Sequence, residues 1–316
     1  MSTYKILVSC PPMLGMLAEF DADFAALDMY YVVPQLVQVL SEAELILRVP
    51  DCDGWIIGDD PATDAVLRAG ATGRLKAAVK WGIGIDNVDV GAARELGLGF
   101  SNTPYMFGEE VADYAMAYVT GLARELFVVD RGVRAGGWPK PAGISLQGKT
   151  VGLVGYGSIG RATARRLAAA GLKVLIYDPA VAVAPAAQED GHARHDWPAC
   201  VEQCDFLVFT CALTSANRHM FDHQVLARCR PGLRLVNVAR GPLVDTEALL
   251  SGLRDGHIHS AALDVFESEP LSRDHALRGF ERVVFGSHNA SNTVEAVRRT
   301  SRQAIAELAR LLGITA

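Results

Sequence analysis

Three apolar runs in this sequence end in polar residues that can do acid–base chemistry and bind anions. Arg240 follows the run LRLVNVA, Glu269 follows SAALDVFES, and His288 follows RVVFGS. In an open parallel sheet, ligands bind outside the carboxyl ends of the strands. An arginine, a carboxylate and a histidine placed at such ends therefore predict one shared site.

A glycine-rich turn earlier in the chain predicts a dinucleotide site. Residues 155–160 read GYGSIG, which matches the pattern G-x-G-x-x-G. The turn alone is a weak signal, but a strand-like run precedes it, a helical stretch follows it, and a second strand-like run ends at Asp178. The Asp178 carboxylate would accept hydrogen bonds from ribose hydroxyls and repel a 2′-phosphate, which predicts NAD rather than NADP.

Each position of the turn has a physical reason. Gly155 permits the tight turn out of the strand, Gly157 lets the backbone approach a pyrophosphate, and Gly160 lets helix and strand pack closely. The amides at the helix start, including those of Ser158 and Ile159, hold phosphate charge together with the helix dipole.

The hydrophobic pattern indicates which elements position these residues. Short apolar runs at 5–9, 55–58 and 77–80, with helical stretches such as 32–40 and 62–69 between them, predict a first unit of alternating strands and helices.

Two further patterns follow in the second part of the chain. Apolar residues at helical spacing over 105–134 predict one long helix. From Lys149 onward, six apolar runs separated by helical stretches match a doubly wound nucleotide-binding sheet. A final helix is predicted over 293–312.

The composition argues against several classes of protein. The chain has 316 residues, half of them hydrophobic, and a net charge of −6 without a basic stripe, so we expect two cores and neither nucleic acid nor a membrane as partner. It has no signal-peptide pattern, which predicts a cytoplasmic location. The six cysteines form no Cys-x-x-Cys pair, so we expect reduced thiols and no metal site.

These segments, together with WGIGIDNVD at 81–89, resemble the D-isomer-specific 2-hydroxyacid dehydrogenases, which include phosphoglycerate dehydrogenase, glyoxylate/hydroxypyruvate reductase and D-lactate dehydrogenase. The resemblance implies an α/β fold of two doubly wound parallel-sheet domains. A Rossmann NAD-binding domain at 102–288 would be inserted in a flavodoxin-like substrate-binding domain at 1–101 plus 289–316. It also implies NAD as cofactor, a small 2-hydroxy or 2-oxo acid as substrate, and a homodimer.

The resemblance assigns a role to each residue of the strand-end group. Arg240 would bind the substrate carboxylate, for which its guanidinium fork is suited. His288 would exchange a proton with the substrate oxygen, and Glu269 would stabilise the charged imidazole. Glu267 competes with Glu269 for this role; the family register selects Glu269 and leaves Glu267 solvated.

Further roles implied by the resemblance concern the cofactor and the first domain. Asp264 would lie beside the nicotinamide carboxamide, and the backbone amides of Ile83 and Gly84 would hold the substrate carboxylate. The histidine usually follows Thr-Pro in the family, whereas residues 286–289 read GSHN here. This departure leaves the catalytic groups in place and bears on which substrate is used.

Two alternative functions remain open from the sequence. Asp59 and Asp60 occupy a loop where a phosphoglycerate enzyme would be expected to carry basic residues, and two aspartates repel phosphate. We therefore expect an unphosphorylated hydroxy acid, with D-3-phosphoglycerate dehydrogenase as the alternative. Some relatives are NAD(H)-sensing corepressors that recruit peptides and can retain the same catalytic residues, but this chain has no long tails for partner binding.

Overall fold

The protein is described by a computed structural model over residues 4–35, 38–181 and 192–314. Its chain divides into two compact units, one formed by Met1–Met106 with Asn292–Ala316 and the other by Phe107–Ser291. The second unit is thus inserted in the first. The boundaries implied by the resemblance, after residues 101 and 288, lie slightly earlier in the chain.

A five-stranded parallel sheet forms the centre of the first unit. The elements of this unit are the strands β1 (Tyr4–Val8), β2 (Met29–Val32), β3 (Gly54–Ile57), β4 (Ala77–Lys80) and β5 (Gly99–Asn102), and the helices α1 (Pro11–Leu14), α2 (Asp21–Ala25), α3 (Glu42–Arg48), α4 (Asp64–Thr72), α5 (Val90–Glu95) and, from the end of the chain, α11 (Val294–Leu311). The strand order β2-β1-β3-β4-β5 is that of flavodoxin-like sheets, which confirms the fold predicted for this unit.

Helix α11 belongs to the first unit because it packs on β3, β4 and β5. The Thr293 side chain accepts the N–H of Ala296 and caps the start of the helix. A Cβ at Gly54 would lie 3.0 Å from the Leu308 side chain, so glycine allows the helix to approach the sheet closely. The last helix of the chain thereby completes the core that the first residues begin.

A seven-stranded parallel sheet forms the centre of the second unit. The elements of this unit are the strands β6 (Thr150–Val154), β7 (Lys173–Tyr177), β8 (Ala193–Arg194), β9 (Phe206–Phe209), β10 (Leu233–Asn237), β11 (Ile258–Leu263) and β12 (Val283–Phe285), and the helices α6 (Gly108–Ala123), α7 (Leu126–Arg134), α8 (Ser158–Ala169), α9 (His223–Arg228) and α10 (Thr246–Arg254). The order β12-β11-β10-β9-β6-β7-β8 is the Rossmann order with one additional strand at the end.

The prediction of a single helix over 105–134 is wrong. Helix α6 ends at Ala123 and α7 begins at Leu126, because Glu125 between them takes a left-handed φ of 55°. The buried Glu125 carboxylate lies 3.3 Å from His259 Nε2 and 3.5 Å from Arg282 Nε. Since these partners are distant in sequence, helical spacing alone does not reveal the break.

The helix predicted over 32–40 is also wrong. Strand β2 extends to Val32, and residues 33–35 and 38–40 are not helical. Pro34 accounts for part of the difference, because a proline disfavours helical backbone at the residue before it. The sequence pattern also fails to predict β2, β5 and β8, which are short and incompletely buried.

Candidate active site

The glycine-rich turn lies between β6 and α8, as its sequence pattern predicts. Gly155 has a φ of 99°, and a Cβ there would lie 2.6 Å from backbone atoms of Cys211. A Cβ at Gly160 would lie 2.2 Å from the carbonyl oxygen of Gly155. Both positions therefore require glycine for reasons within the protein itself.

Gly157 differs because its missing Cβ faces open space. No atom of the described chain lies within 4 Å of the point where that Cβ would be. Gly157 precedes the first turn of α8, in which the amides of Ser158, Ile159 and Gly160 have no carbonyl partner within the helix. Backbone donors at the positive end of a helix, beside an open space, suit a phosphate group.

Asp178 follows β7 and is held against the glycine-rich turn. One carboxylate oxygen accepts the Tyr156 N–H at 2.6 Å, and the other accepts the Ala180 N–H at 2.8 Å. An ionised carboxylate offers about four acceptor positions, so capacity remains for the hydroxyls of a ribose. The turn, the helix start and this carboxylate together fit a dinucleotide.

The strand-end residues are brought to one edge of the second sheet. Arg240, Asp264 and His288 follow β10, β11 and β12, which are adjacent and parallel. A Cβ at Gly241 would lie 1.9 Å from the carbonyl carbon of Phe266. The segment that carries Arg240 therefore lies directly against the segment that leads to Glu269.

His288 and Glu269 form a direct pair. Nδ1 of His288 lies 2.8 Å from Oε2 of Glu269, and both side chains are 21% exposed. The other oxygen of Glu269 accepts the Phe266 N–H at 2.8 Å, which holds the carboxylate in place. With Nδ1 directed at a carboxylate, Nε2 is the nitrogen that exchanges a proton with a bound molecule.

Asp264 orders the loop that carries the histidine. Its carbonyl accepts the His288 N–H at 2.7 Å, and its buried carboxylate accepts the N–H groups of Asn289 and Ala290 at 3.0 and 2.9 Å. His288 takes a φ of 56°, a conformation that a non-glycine residue adopts mainly where its surroundings impose it. Burial raises the pKa of Asp264, and the two amide hydrogen bonds oppose that rise. No pattern in the sequence predicts this ordering role.

Glu267 is exposed, as expected, but it also belongs to a second histidine–carboxylate pair. Its Oε2 lies 2.8 Å from Nε2 of His219, and its Oε1 accepts the Thr246 N–H at 3.0 Å. Burial would raise the pKa of Glu267, but these hydrogen bonds outweigh burial and lower it. The two glutamates therefore serve different histidines.

Ile83 and Gly84 lie in the first unit, in the loop after β4. The N–H of Gly82 donates to Thr103 Oγ1 at 2.7 Å, and the carbonyl of Ile83 accepts from Asn102 Nδ2 at 2.9 Å. These contacts order the loop. The binding of a carboxylate by the Ile83 and Gly84 amides stays a prediction.

The two aspartates after β3 have different surroundings. Asp60 is completely buried and accepts hydrogen bonds from Ser9 Oγ and the Leu40 N–H. Asp59 lies 3.1 Å from the buried ammonium of Lys80. The argument that both aspartates repel a phosphorylated substrate therefore fails for Asp60, which is a structural group.

Comparison with known proteins gives consistent similarities. Residues 116–290 match the family model described as the NAD-binding domain of D-isomer-specific 2-hydroxyacid dehydrogenases. A glyoxylate reductase of Thermofilum pendens is 35% identical over 85% of this chain and 79% of its own length. A D-3-phosphoglycerate dehydrogenase of Mycobacterium leprae is 36% identical over 85% of this chain but only 50% of its own length. The apo structure of D-lactate dehydrogenase from Escherichia coli superposes with a TM-score of 0.81 at 26% identity, covering 96% of this chain and 95% of that one.

Substitutions at Gly157 and Gly160 should separate binding from folding. Gly157→Ala should leave the melting temperature unchanged, because the added methyl group enters open space. It should weaken NADH binding at least tenfold, because that space is the one proposed for a phosphate group of the cofactor. Gly160→Ala should lower the melting temperature by several degrees, because its methyl group meets backbone. Calorimetry and NADH fluorescence titration measure the two effects. Equal losses of stability in both variants would contradict the assignment.

Proposed function

Because this chain belongs to the D-isomer-specific 2-hydroxyacid dehydrogenase family, we propose that Arg240, Glu269 and His288 form its catalytic group. The protein is an NAD-dependent oxidoreductase that interconverts a small 2-hydroxy acid and its 2-oxo acid. The observation that carries the residue assignment is the 2.8 Å contact between His288 Nδ1 and Glu269 Oε2.

The histidine pair moves one proton in each turnover. Bound NAD(H) supplies or accepts the hydride at C2 of the substrate. During reduction, the charged imidazole of His288 donates its Nε2 proton to the carbonyl oxygen, and during oxidation Nε2 takes the proton from the hydroxyl. The Nδ1 proton stays between the ring and Glu269, whose carboxylate stabilises the imidazolium.

Arg240 binds and orients the acid substrate. Its planar guanidinium matches the two oxygens of a carboxylate. Asn237 holds the backbone of this segment, since its Nδ2 donates to the Arg240 carbonyl at 2.9 Å. The amides of Ile83 and Gly84 bind the same carboxylate in this proposal. An unphosphorylated acid is the favoured substrate, with 3-phosphoglycerate as the alternative.

The cofactor-binding residues share two properties. They lie at the carboxyl ends of β6, β7 and β11. Gly155 forms the tight turn, and each of the others offers a backbone donor, an open approach or a carboxylate. The proposed set is Gly155, Gly157, Ser158, Ile159, Gly160, Asp178 and Asp264.

The exposed face of α7 supports a homodimer. No residue of this helix is buried, although Leu126 and Val133 are apolar, and Trp138 just beyond it is 78% exposed. Such a surface favours burial against a second copy. Light scattering should give the mass of two chains for the wild type. A Val133→Asp/Trp138→Ser variant should give a lower mass, closer to that of one chain. A monomeric wild type would contradict the proposal.

A cytoplasmic location is also proposed. All six cysteines are free, as is usual in a reducing compartment. In the described part of the chain, no helix has the length and apolar character needed to cross a membrane. Fractionation of the source cells checks the location.

A panel of oxo acids tests the reaction and the cofactor preference together. NADH should be oxidised in the presence of at least one of glyoxylate, hydroxypyruvate, pyruvate, a branched oxo acid or phosphohydroxypyruvate. NADPH should be oxidised much more slowly with the same acid. Asp178→Ala should narrow that preference, because the carboxylate no longer repels a 2′-phosphate. NADH binding without turnover of any acid would favour a dinucleotide-sensing protein, and an unchanged cofactor ratio would remove Asp178 from the proposal.

The two histidine–glutamate pairs provide a matched test of the catalytic histidine. His288→Ala should lower kcat by about 10²–10⁴-fold while NADH binding persists, because only the proton transfer is lost. His219→Ala removes the partner of Glu267 at the same 2.8 Å distance and should leave kcat within about twofold. Steady-state kinetics and NADH titration measure both variants. Near-normal turnover of the His288 variant would refute the assignment.

A further inference from the structure

The hydroxyl of Tyr118 is a buried donor without a hydrogen-bond partner among the residues that the structure describes. Its side chain, in α6, is 5% exposed, and α6 packs against β10 and β11. Burial, and next the Tyr114 phenol whose ring packs edge-on with centroids 4.8 Å apart, raise the pKa of Tyr118 far above its usual range. The group therefore stays protonated and acts as a neutral hydroxyl. A buried hydroxyl without an acceptor lowers the stability of the fold, so a hydrogen bond to a nearby acceptor would stabilise it.

One acceptor, Oδ1 of Asp264, borders a space that Gly286 leaves open. A Cβ at position 286 would lie 2.8 Å from the Tyr118 hydroxyl oxygen and 2.1 Å from Oδ1 of Asp264. Gly286 does not have a positive φ, so room rather than backbone conformation requires glycine here. The hydroxyl and the carboxylate oxygen therefore border the same small space.

Asp264 has capacity for another donor. Its carboxylate is buried and accepts two backbone N–H groups, from Asn289 and Ala290, whereas an ionised carboxylate has about four acceptor positions. The side-chain charges that act on it are His288, which favours the ionised form, and Glu269, which opposes it. A hydrogen bond donated by a neutral hydroxyl from α6 would further favour the ionised form of Asp264.

We propose that Tyr118 is a positioning residue, which donates a hydrogen bond to Oδ1 of Asp264 and keeps that carboxylate ionised and oriented toward the bound cofactor. Gly286 is the residue that permits this contact. The inference rests on the proposed role of Asp264 in NAD binding. It also accounts for the departure at Gly286, because the threonine usual in the family would place a Cβ in the space that the hydroxyl needs.

The pH dependence of NADH binding tests the contact directly. Tyr118→Phe removes the donor, which raises the pKa of Asp264, so the carboxylate is protonated at a higher pH as the pH falls. NADH binding, followed by fluorescence, should be about fivefold weaker at neutral pH. Its acid-side midpoint should move up by about one pH unit. KM for NADH should rise while KM for the oxo acid stays the same.

Two controls isolate the effect. Tyr31→Phe deletes a hydroxyl that lies 2.6 Å from the Asp21 carboxylate in the first unit, and it should leave the midpoint unchanged. The Tyr118→Phe shift should persist in the His288→Ala background, which excludes titration of that histidine as its source.

Gly286→Ala provides a second, independent variant. It should weaken NADH binding at least tenfold in the wild type. The loss should be smaller when it is combined with Tyr118→Phe, because one of the three atoms nearest to its methyl group is then gone. Additive losses in the double variant would contradict the proposed arrangement, even if Tyr118→Phe alone folds poorly.

The outcomes separate this inference from the proposed function. If Tyr118→Phe raises the melting temperature and leaves NADH affinity and its pH midpoint unchanged, the hydroxyl is merely an unsatisfied group and the inference is overturned. If Asp264→Asn leaves NADH affinity unchanged, the proposed role of Asp264 in cofactor binding fails first. If Asp264→Asn weakens NADH binding and Tyr118→Phe leaves NADH binding unchanged, only the positioning role of Tyr118 is overturned.

Discussion

The arrangement at the carboxyl edge of the second sheet depends on one buried carboxylate. Asp264 cannot remain ionised in the interior without partners, because a buried charge must be hydrogen-bonded or paired. The partners come from the next strand end, as the amides of Asn289 and Ala290, while the Asp264 backbone carbonyl accepts the His288 N–H. These hydrogen bonds hold the segment after β12 in the conformation in which His288 contacts Glu269.

Glycines shape the same edge, because a side chain at several of these positions would collide with neighbouring backbone. At Gly155, Gly160 and Gly241, a Cβ would meet backbone within 2.6 Å, so these positions let adjacent segments approach to contact. Gly157 is the opposite case, because its vacant position faces outward and is available to a phosphate. One residue type therefore serves internal packing at some positions and ligand approach at another, and only the surroundings distinguish them.

The two histidine–glutamate pairs have the same distance, so the distance by itself does not favour either of them as the proposed catalytic pair. Both measure 2.8 Å. The pair of His219 and Glu267 also ties down the N–H of Thr246, at the start of α10, which is a structural use of the carboxylate. The pair of His288 and Glu269 lies instead on segments ordered by Asp264 and Phe266, at the carboxyl edge where ligands bind.

The resemblance to a known family implied that one unit is inserted in the other. The sequence by itself determined the two-domain α/β class, the glycine-rich turn and the order of the strand-end residues. These features depend on local periodicity and on short motifs, which neighbouring residues encode. The tertiary structure alone decided where α6 ends, since Glu125 turns the chain toward His259 and Arg282. It also decided that Glu267 pairs with His219 and why Gly286 has no side chain. Those answers depend on contacts between residues far apart in the sequence, and no local pattern records them.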